Sequence, residues 1–211
     1  SVAIEHFRTA ISLDPSAITL KDIEQLANLL GRQALARYQE ARAHARKTGR
    51  NKDQKIRLLA AEADIDEAIG LLKWLIDAPS WRKNPIARKK GASAQEGPGK
   101  TVERLSLLGS AYKRKAWISN NPGPALEQMK QAYEKAWHLA EKQQSSTLYP
   151  KLNQLFAEVI LGWGSKRKRH RTKLEVRKDL ERLGTELVEH NRTKDSFWDE
   201  VMLYDGQLAL A

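Results

Sequence analysis

The chain has 211 residues, of which 41% are hydrophobic and 30% are charged. This mixture is too apolar for an intrinsically disordered protein, and the length is sufficient to bury a hydrophobic core. Cysteine is absent, which excludes a disulfide framework, a thiol nucleophile and a cysteine-ligated zinc site. The net charge of +11 favours acidic partners, although lysine and arginine can also serve only to solvate long helices.

The sequence contains no apolar run of the roughly 18 residues needed to cross a bilayer. Its first residues lack the basic start and the apolar centre of a signal peptide. Together with the lack of cysteine, these features favour a cytoplasmic location.

Helical periodicity dominates the first 77 residues. A first helix is predicted to stop at Asp14 and Pro15, because proline cannot continue a helix and disfavours helical dihedrals in the residue before it. A second helix begins after Thr19, a suitable N-cap, and runs into a basic stretch. A third covers about 53–77 and ends before Pro79.

Spacing within these helices also predicts which residues form the core. The third helix has its apolar positions at Ile56, Leu59, Ala60, Ala63, Ile69, Leu72 and Leu75. Four tryptophans lie in apolar helical patterns and are predicted to be core residues: Trp74, Trp117, Trp137 and Trp198. Most of a small acidic group is expected to face water: Glu62, Asp64, Asp66 and Glu67.

Residues 78–100 interrupt the helices with glycines, prolines and basic residues, which predicts a long basic connection. Further helices are predicted over about 104–119, 125–143, 148–163, 172–190 and 194–210. The chain therefore divides into N-terminal helical repeats (1–77), a basic loop (78–100), helical hairpins (101–163) and a basic linker with C-terminal capping helices (164–211).

Two stretches resemble tetratricopeptide repeats. Ala3, Phe7, Ala10 and Pro15 have the spacing of the second helix of a repeat, and a fuller unit combines residues 105–112 with Met129, Tyr133 and Ala136. Leu105 departs from the family pattern, which commonly has tryptophan there. The resemblance implies an all-α fold, an irregular stack of antiparallel helical hairpins with about seven to nine helices. Because the first repeat lacks its first helix, we expect the chain to be a fragment of a longer protein.

No catalytic residue, metal site or cofactor is expected. None of the five histidines has enough neighbouring ligands for a metal site. The glycines near residue 97 lack the full spacing of a phosphate-binding loop, because Ala94 stands where the first glycine is required.

The resemblance instead implies a non-catalytic protein-interaction scaffold or a regulatory domain of a larger multidomain protein. Its partner is a protein or peptide, and a catalytic domain of the same polypeptide is one candidate. The polar positions predicted to face the binding groove are Asn28, Arg32, Lys113, Lys115, Asn153 and Gln154.

Basic runs bordered by tryptophan support an alternative function, a basic helical module that binds nucleic acid. A solvated loop is the other interpretation of such runs. The residues predicted to contact an acidic partner are Trp81, Arg82, Lys83, Trp163, Lys166, Arg167, Lys168, Arg169 and Arg171.

Overall fold

A computed structural model describes residues 2–14, 18–48, 52–77, 99–145 and 147–164, together with several helical residues between 175 and 185. The described ranges up to residue 164 contain six helices and no strand. The helices are α1 (Val2–Leu13), α2 (Leu20–Thr48), α3 (Lys52–Asp77), α4 (Val102–Ile118), α5 (Gly123–Lys142) and α6 (Leu148–Gly164). The predicted all-α class is confirmed, and α2 continues through Gly31 without a break.

Side-chain hydrogen bonds cap the starts of α2 and α4, and Thr19 is the N-cap that the sequence predicted. At the start of α2, the Thr19 hydroxyl donates to the Asp22 carboxylate, and the Asp22 amide donates back to the Thr19 hydroxyl oxygen. At the start of α4, the Thr101 hydroxyl oxygen accepts from the Arg104 amide at 3.1 Å. The bonds from the Asp22 and Arg104 amides satisfy backbone N–H groups that the first turn of a helix leaves without an intrahelical acceptor.

The chain forms two compact units, Ser1–Ala125 and Leu126–Ala211. In the first unit, α2 packs along α3, both contact α4, and α1 contacts α2. Its core contains Leu26, Leu30, Ile65, Ala68, Leu72, Leu105, Leu108 and Tyr112. In the second unit, the fully buried Tyr133 meets Tyr149 edge to face, with 5.8 Å between the ring centroids.

The residues that carry the repeat resemblance in 105–136 are buried. Leu105 and Tyr112 are at most 6% exposed, and Met129, Tyr133 and Ala136 are fully buried. The repeat pattern expects these positions to be buried, and each of them is buried within its own unit.

The predicted core face of α3 is correct only in its second half. Ile69, Leu72 and Leu75 are buried, whereas Ile56 and Leu59 are each 55% exposed. In the first half of α3 the buried residues are instead Gln54, Ala61, Asp64 and Ile65. Small residues such as alanine allow a neighbouring helix to approach closely, and the apolar pattern alone did not distinguish the two faces.

Two of the predicted core tryptophans are not core residues. Trp74 is 48% exposed and Trp117 is 50% exposed. Trp137 is half-buried, with the Lys151 ammonium 3.2 Å from its ring centroid. Trp198 lies outside the described residues. Tryptophan is large and amphipathic, so a helical apolar pattern does not require that it be fully buried.

The acidic group of α3 faces water except at Asp64. Asp64 is only 6% exposed and accepts hydrogen bonds from Gln33 at 3.0 Å and from Arg37 at 2.7 Å. Asp66 and Glu67 are exposed and form ion pairs with Lys115 and Arg8, respectively. Asp64 therefore helps to hold α3 against α2, a role that the expectation of water-facing carboxylates missed.

None of the described helices is long and apolar enough to cross a membrane. The described residues also hold no group of three or more histidine, aspartate or glutamate side chains positioned to bind a metal ion.

Candidate functional site

Helices α2 and α4 run parallel, and ion pairs fix their register. Lys21 contacts Glu103 at 2.8 Å, and the Arg104 guanidinium donates to the Glu24 carboxylate at 2.7 Å. About two to three turns further along, the Arg114 side chain lies beside Gly31. Because α4 ends at Ile118, α2 extends about three turns beyond the end of α4.

This arrangement creates a cleft of about 490 Å³, which we call the α2–α4 cleft. One stripe of α2 forms most of its wall, since the residues concerned recur at intervals of three or four positions. Its lining residues are Leu35, Tyr38, Gln39, Arg42, Ala43, Arg46 and Trp117. A volume of this size lies within the range of ordinary ligand sites, about 300–1,000 Å³.

The two arginines of the cleft differ from the other well-placed cations of the first unit. Arg37 and Arg104 each have a carboxylate partner at 2.7 Å. No described carboxylate lies within ion-pair distance of Arg42 or Arg46. The cleft therefore presents two guanidinium groups whose charge no neighbouring side chain in the described part of the chain neutralises.

Two aromatic rings also line the cleft, and each has a cation beside it. The Arg42 guanidinium is 5.7 Å from the Tyr38 ring centroid and donates to the Tyr38 hydroxyl oxygen at 3.4 Å. Trp117 is half exposed, and the Lys113 ammonium lies 5.7 Å from its ring centroid. Cation–π contacts of this kind limit the freedom of the side chains and keep the positive charge close to an apolar surface.

The six predicted groove residues occupy different environments. Lys113 borders the cleft through Trp117, and Lys115 pairs with Asp66. Arg32 is exposed and Asn28 is half-buried, but neither lines the cleft. Asn153 and Gln154 are buried on α6, at 7% and 4% exposure.

None of the residues predicted to contact an acidic partner has a described side chain. Trp163 belongs to α6, but its side chain is not among those described. The others lie outside entirely: Trp81, Arg82, Lys83, Lys166, Arg167, Lys168, Arg169 and Arg171.

Sequence reasoning missed Tyr38, Arg42 and Arg46 as site residues. Their spacing of four positions shows that they share a helix face, but the basic end of α2 was interpreted as favourable to the helix dipole. Because α4 is shorter than α2 and runs parallel to it, α4 does not cover this face of α2.

Comparison with known proteins gives one family. The family model described as Tetratricopeptide Repeats-Sensor matches residues 1–158. No curated protein and no solved structure matches the chain. Since the family model covers well over half of the chain, including α1 to α5 and most of α6, this protein belongs to the Tetratricopeptide Repeats-Sensor family.

Proposed function

We propose that this chain is a non-catalytic scaffold or regulatory domain of a larger multidomain protein, and that it binds a protein partner in the α2–α4 cleft. Tetratricopeptide repeats are generally protein-interaction modules, and the family's description as a sensor supports a regulatory role. The observation that carries the proposal is the pair Arg42 and Arg46, un-neutralised and beside exposed aromatic surface.

The chemistry of the lining favours binding over catalysis. The described lining of the cleft consists of alkyl, aromatic, amide and guanidinium side chains, and among these described residues there is no carboxylate, imidazole or aliphatic hydroxyl. Guanidinium groups stay protonated at any physiological pH, so they bind anions well and serve poorly as general bases. Aromatic and arginine side chains are also the residue types that contribute most to protein interfaces.

Contacts with α3 and α4 hold α2, the main wall of the cleft, in place, which favours binding of a partner. Two hydrogen bonds to Asp64 connect α2 to α3, and the Glu24–Arg104 pair connects α2 to α4. Because these contacts hold the wall of the cleft in place, a partner need not order it on binding, which reduces the entropic cost of association.

The experiment that tests this function is affinity capture from a lysate of the source cells, with and without nuclease. The bait is the purified chain, compared with the variant Arg42→Gln/Arg46→Gln and with Lys135→Gln/Lys142→Gln. The latter changes two exposed α5 lysines and lowers the net charge equally. We expect a nuclease-resistant protein that the cleft variant loses and the α5 variant retains.

The alternative function, binding of nucleic acid, has its own outcome in the same experiment. Capture of nucleic acid that disappears with nuclease, with both variants weakened equally, would replace the scaffold proposal by one based on overall charge. Contacts with phosphates would also make the captured amount fall steeply as salt concentration rises.

A further inference from the structure

The two ends of the α2–α4 cleft differ in character. Leu35, Tyr38 and Trp117 lie toward the end that α4 borders, since Trp117 is in the last turn of α4 and α4 runs parallel to α2. Arg42 and Arg46 lie on the part of α2 that extends beyond α4. The cleft therefore changes from apolar and aromatic at one end to cationic at the other.

The cationic end suits an anion with more than one acceptor oxygen. Arg42 and Arg46 are four residues apart and so occupy neighbouring turns of one face, separated by about 6 Å along the helix axis. Guanidinium groups bind carboxylates bidentately, and two groups at this separation suit two carboxylates on one short segment. Such a segment in the cleft would supply a carboxylate partner to Arg42 and Arg46, which form no ion pair with a described carboxylate.

The aromatic end requires a large apolar group. Trp117 leaves 50% of its surface exposed, although it lies in a helix whose other large apolar residues are mostly buried. Covering an exposed tryptophan with another ring or a branched side chain stabilises an interface through the apolar area removed from water and through ring contacts.

The length of the cleft indicates how these groups are spaced. From Leu35 to Arg46 the wall covers about 16 Å at 1.5 Å per residue. An extended peptide covers that distance with about five residues at 3.3 Å each. The apolar end and the midpoint between the arginines are about 10 Å apart, which corresponds to about three residues of an extended chain. A compact small molecule would contact only one end of this open surface.

We propose that the occupant of the α2–α4 cleft is an extended acidic peptide segment of the partner, with an aromatic or large aliphatic side chain about three residues from a pair of carboxylates. This inference rests on the proposed function, because it specifies the chemistry of the protein that the cleft would bind. The apolar side chain packs against Tyr38 and Trp117, and the carboxylates accept hydrogen bonds from Arg42 and Arg46.

The test measures fluorescence anisotropy of a labelled peptide, Gly-Phe-Gly-Ser-Glu-Asp-Glu-Gly, titrated with the full chain. One control peptide replaces the acids by Gln-Asn-Gln, and another replaces Phe by Ser. The protein variants are Arg42→Gln/Arg46→Gln, Trp117→Ala and the charge-matched Lys135→Gln/Lys142→Gln. Circular dichroism and thermal unfolding establish that each variant is folded before its affinity is compared.

We expect the acidic aromatic peptide to bind the unchanged chain and the α5 variant equally. The arginine variant should bind at least about tenfold more weakly, because it loses two charge-assisted contacts. Trp117→Ala should weaken binding of the Phe peptide and leave the weak binding of the Ser peptide unchanged. Raising the salt concentration should weaken binding through screening of these exposed charges.

Three results would overturn the inference. Equal weakening by the arginine and α5 variants would show that net charge alone attracts the peptide. Tighter binding of a labelled nucleoside monophosphate, lost in the arginine variant, would identify a small-molecule site instead. Absence of peptide binding, together with cleft-dependent capture of a protein from the lysate, would reject the acidic peptide while leaving the proposed function standing.

Discussion

The buried ion pair between Glu24 and Arg104 determines how α4 is placed against α2, and its removal should have a large effect. The side chains of Glu24 and Arg104 are 7% and 9% exposed, and the guanidinium also donates to the Gly99 carbonyl oxygen at 3.2 Å. Replacing Arg104 by Met leaves the Glu24 carboxylate buried without its main counter-ion. Such a change typically costs about 3–5 kcal/mol.

The lower part of that range is expected here. The Lys21 ammonium lies 3.3 Å from the second carboxylate oxygen of Glu24 and remains as a partner, but it is 68% exposed and solvent screens it. Replacing both partners, as in Glu24→Leu/Arg104→Met, removes the stranded charge. The double variant should therefore lose only about 1 kcal/mol, from the missing hydrogen bond to Gly99.

Urea denaturation followed by circular dichroism measures the free energy of unfolding of the four members of this mutant cycle. Hydrogen exchange of the α4 amides shows whether the loss is centred there. The reasoning is refuted if Arg104→Met costs less than about 1 kcal/mol, or if the double variant is as unstable as the sum of the two single variants.

Three smaller predictions concern caps and glycines. Thr101→Ala should lower the free energy of unfolding by about 1 kcal/mol in urea denaturation, since the Arg104 amide loses its side-chain acceptor. Thr101→Ser should retain most of the lost stability, and a loss below about 0.3 kcal/mol for Thr101→Ala would contradict the capping role. Gly31→Ala should stabilise α2 by about 0.5–1 kcal/mol, because the added Cβ would lie at an ordinary contact distance of 3.5 Å from the Arg114 side chain. Gly99→Ala should instead destabilise the chain by about 1–3 kcal/mol, because the added Cβ would lie 2.7 Å from the Ile76 carbonyl oxygen. Thermal unfolding should show a higher melting temperature for Gly31→Ala and a lower one for Gly99→Ala, and equal changes in melting temperature would contradict this prediction. Hydrogen bonds from Thr19 to the Asp22 carboxylate lower the pKa of Asp22, so this stabilisation should be present above the ordinary aspartate pKa and lost as pH falls through the lowered folded-state value. Asp22→Asn should flatten the acid side of the stability–pH curve, and an unchanged curve would show that Asp22 contributes nothing.

Most helix positions and the burial of the repeat residues could be predicted from the sequence, because they depend on local signals. Thr19 and the prolines mark where helices begin and end, and the apolar and aromatic positions of 105–136 are buried as the repeat pattern predicts. The exposure of the first half of α3 could not be predicted from local signals. Ile56 and Leu59 have the spacing of core residues, and their exposure depends on which side of α3 the neighbouring helices occupy.

The candidate site was less predictable than the fold for a related reason. Arg42 and Arg46 read as ordinary basic residues near a helix end, and Trp117 read as a core residue. Their position in a cleft depends on the relative lengths of α2 and α4 and on the parallel register of the two helices. Ion pairs between residues about 80 positions apart in the sequence establish that register. Lys113, predicted to face a binding groove, lies on the same face of α4 as Trp117, and its ammonium is 5.7 Å from the centroid of that ring.

The central claim, that the α2–α4 cleft contacts a protein partner, is tested most directly by site-specific photo-crosslinking. A benzophenone amino acid replaces Ala43, which lines the cleft, or Ala36, an exposed alanine of the same helix outside the cleft. After irradiation in a lysate of the source cells, we predict a discrete, nuclease-resistant protein adduct from position 43 that the acidic aromatic peptide competes away, and no such adduct from position 36. Equal adducts from both positions, or adducts with nucleic acid alone, would contradict the claim.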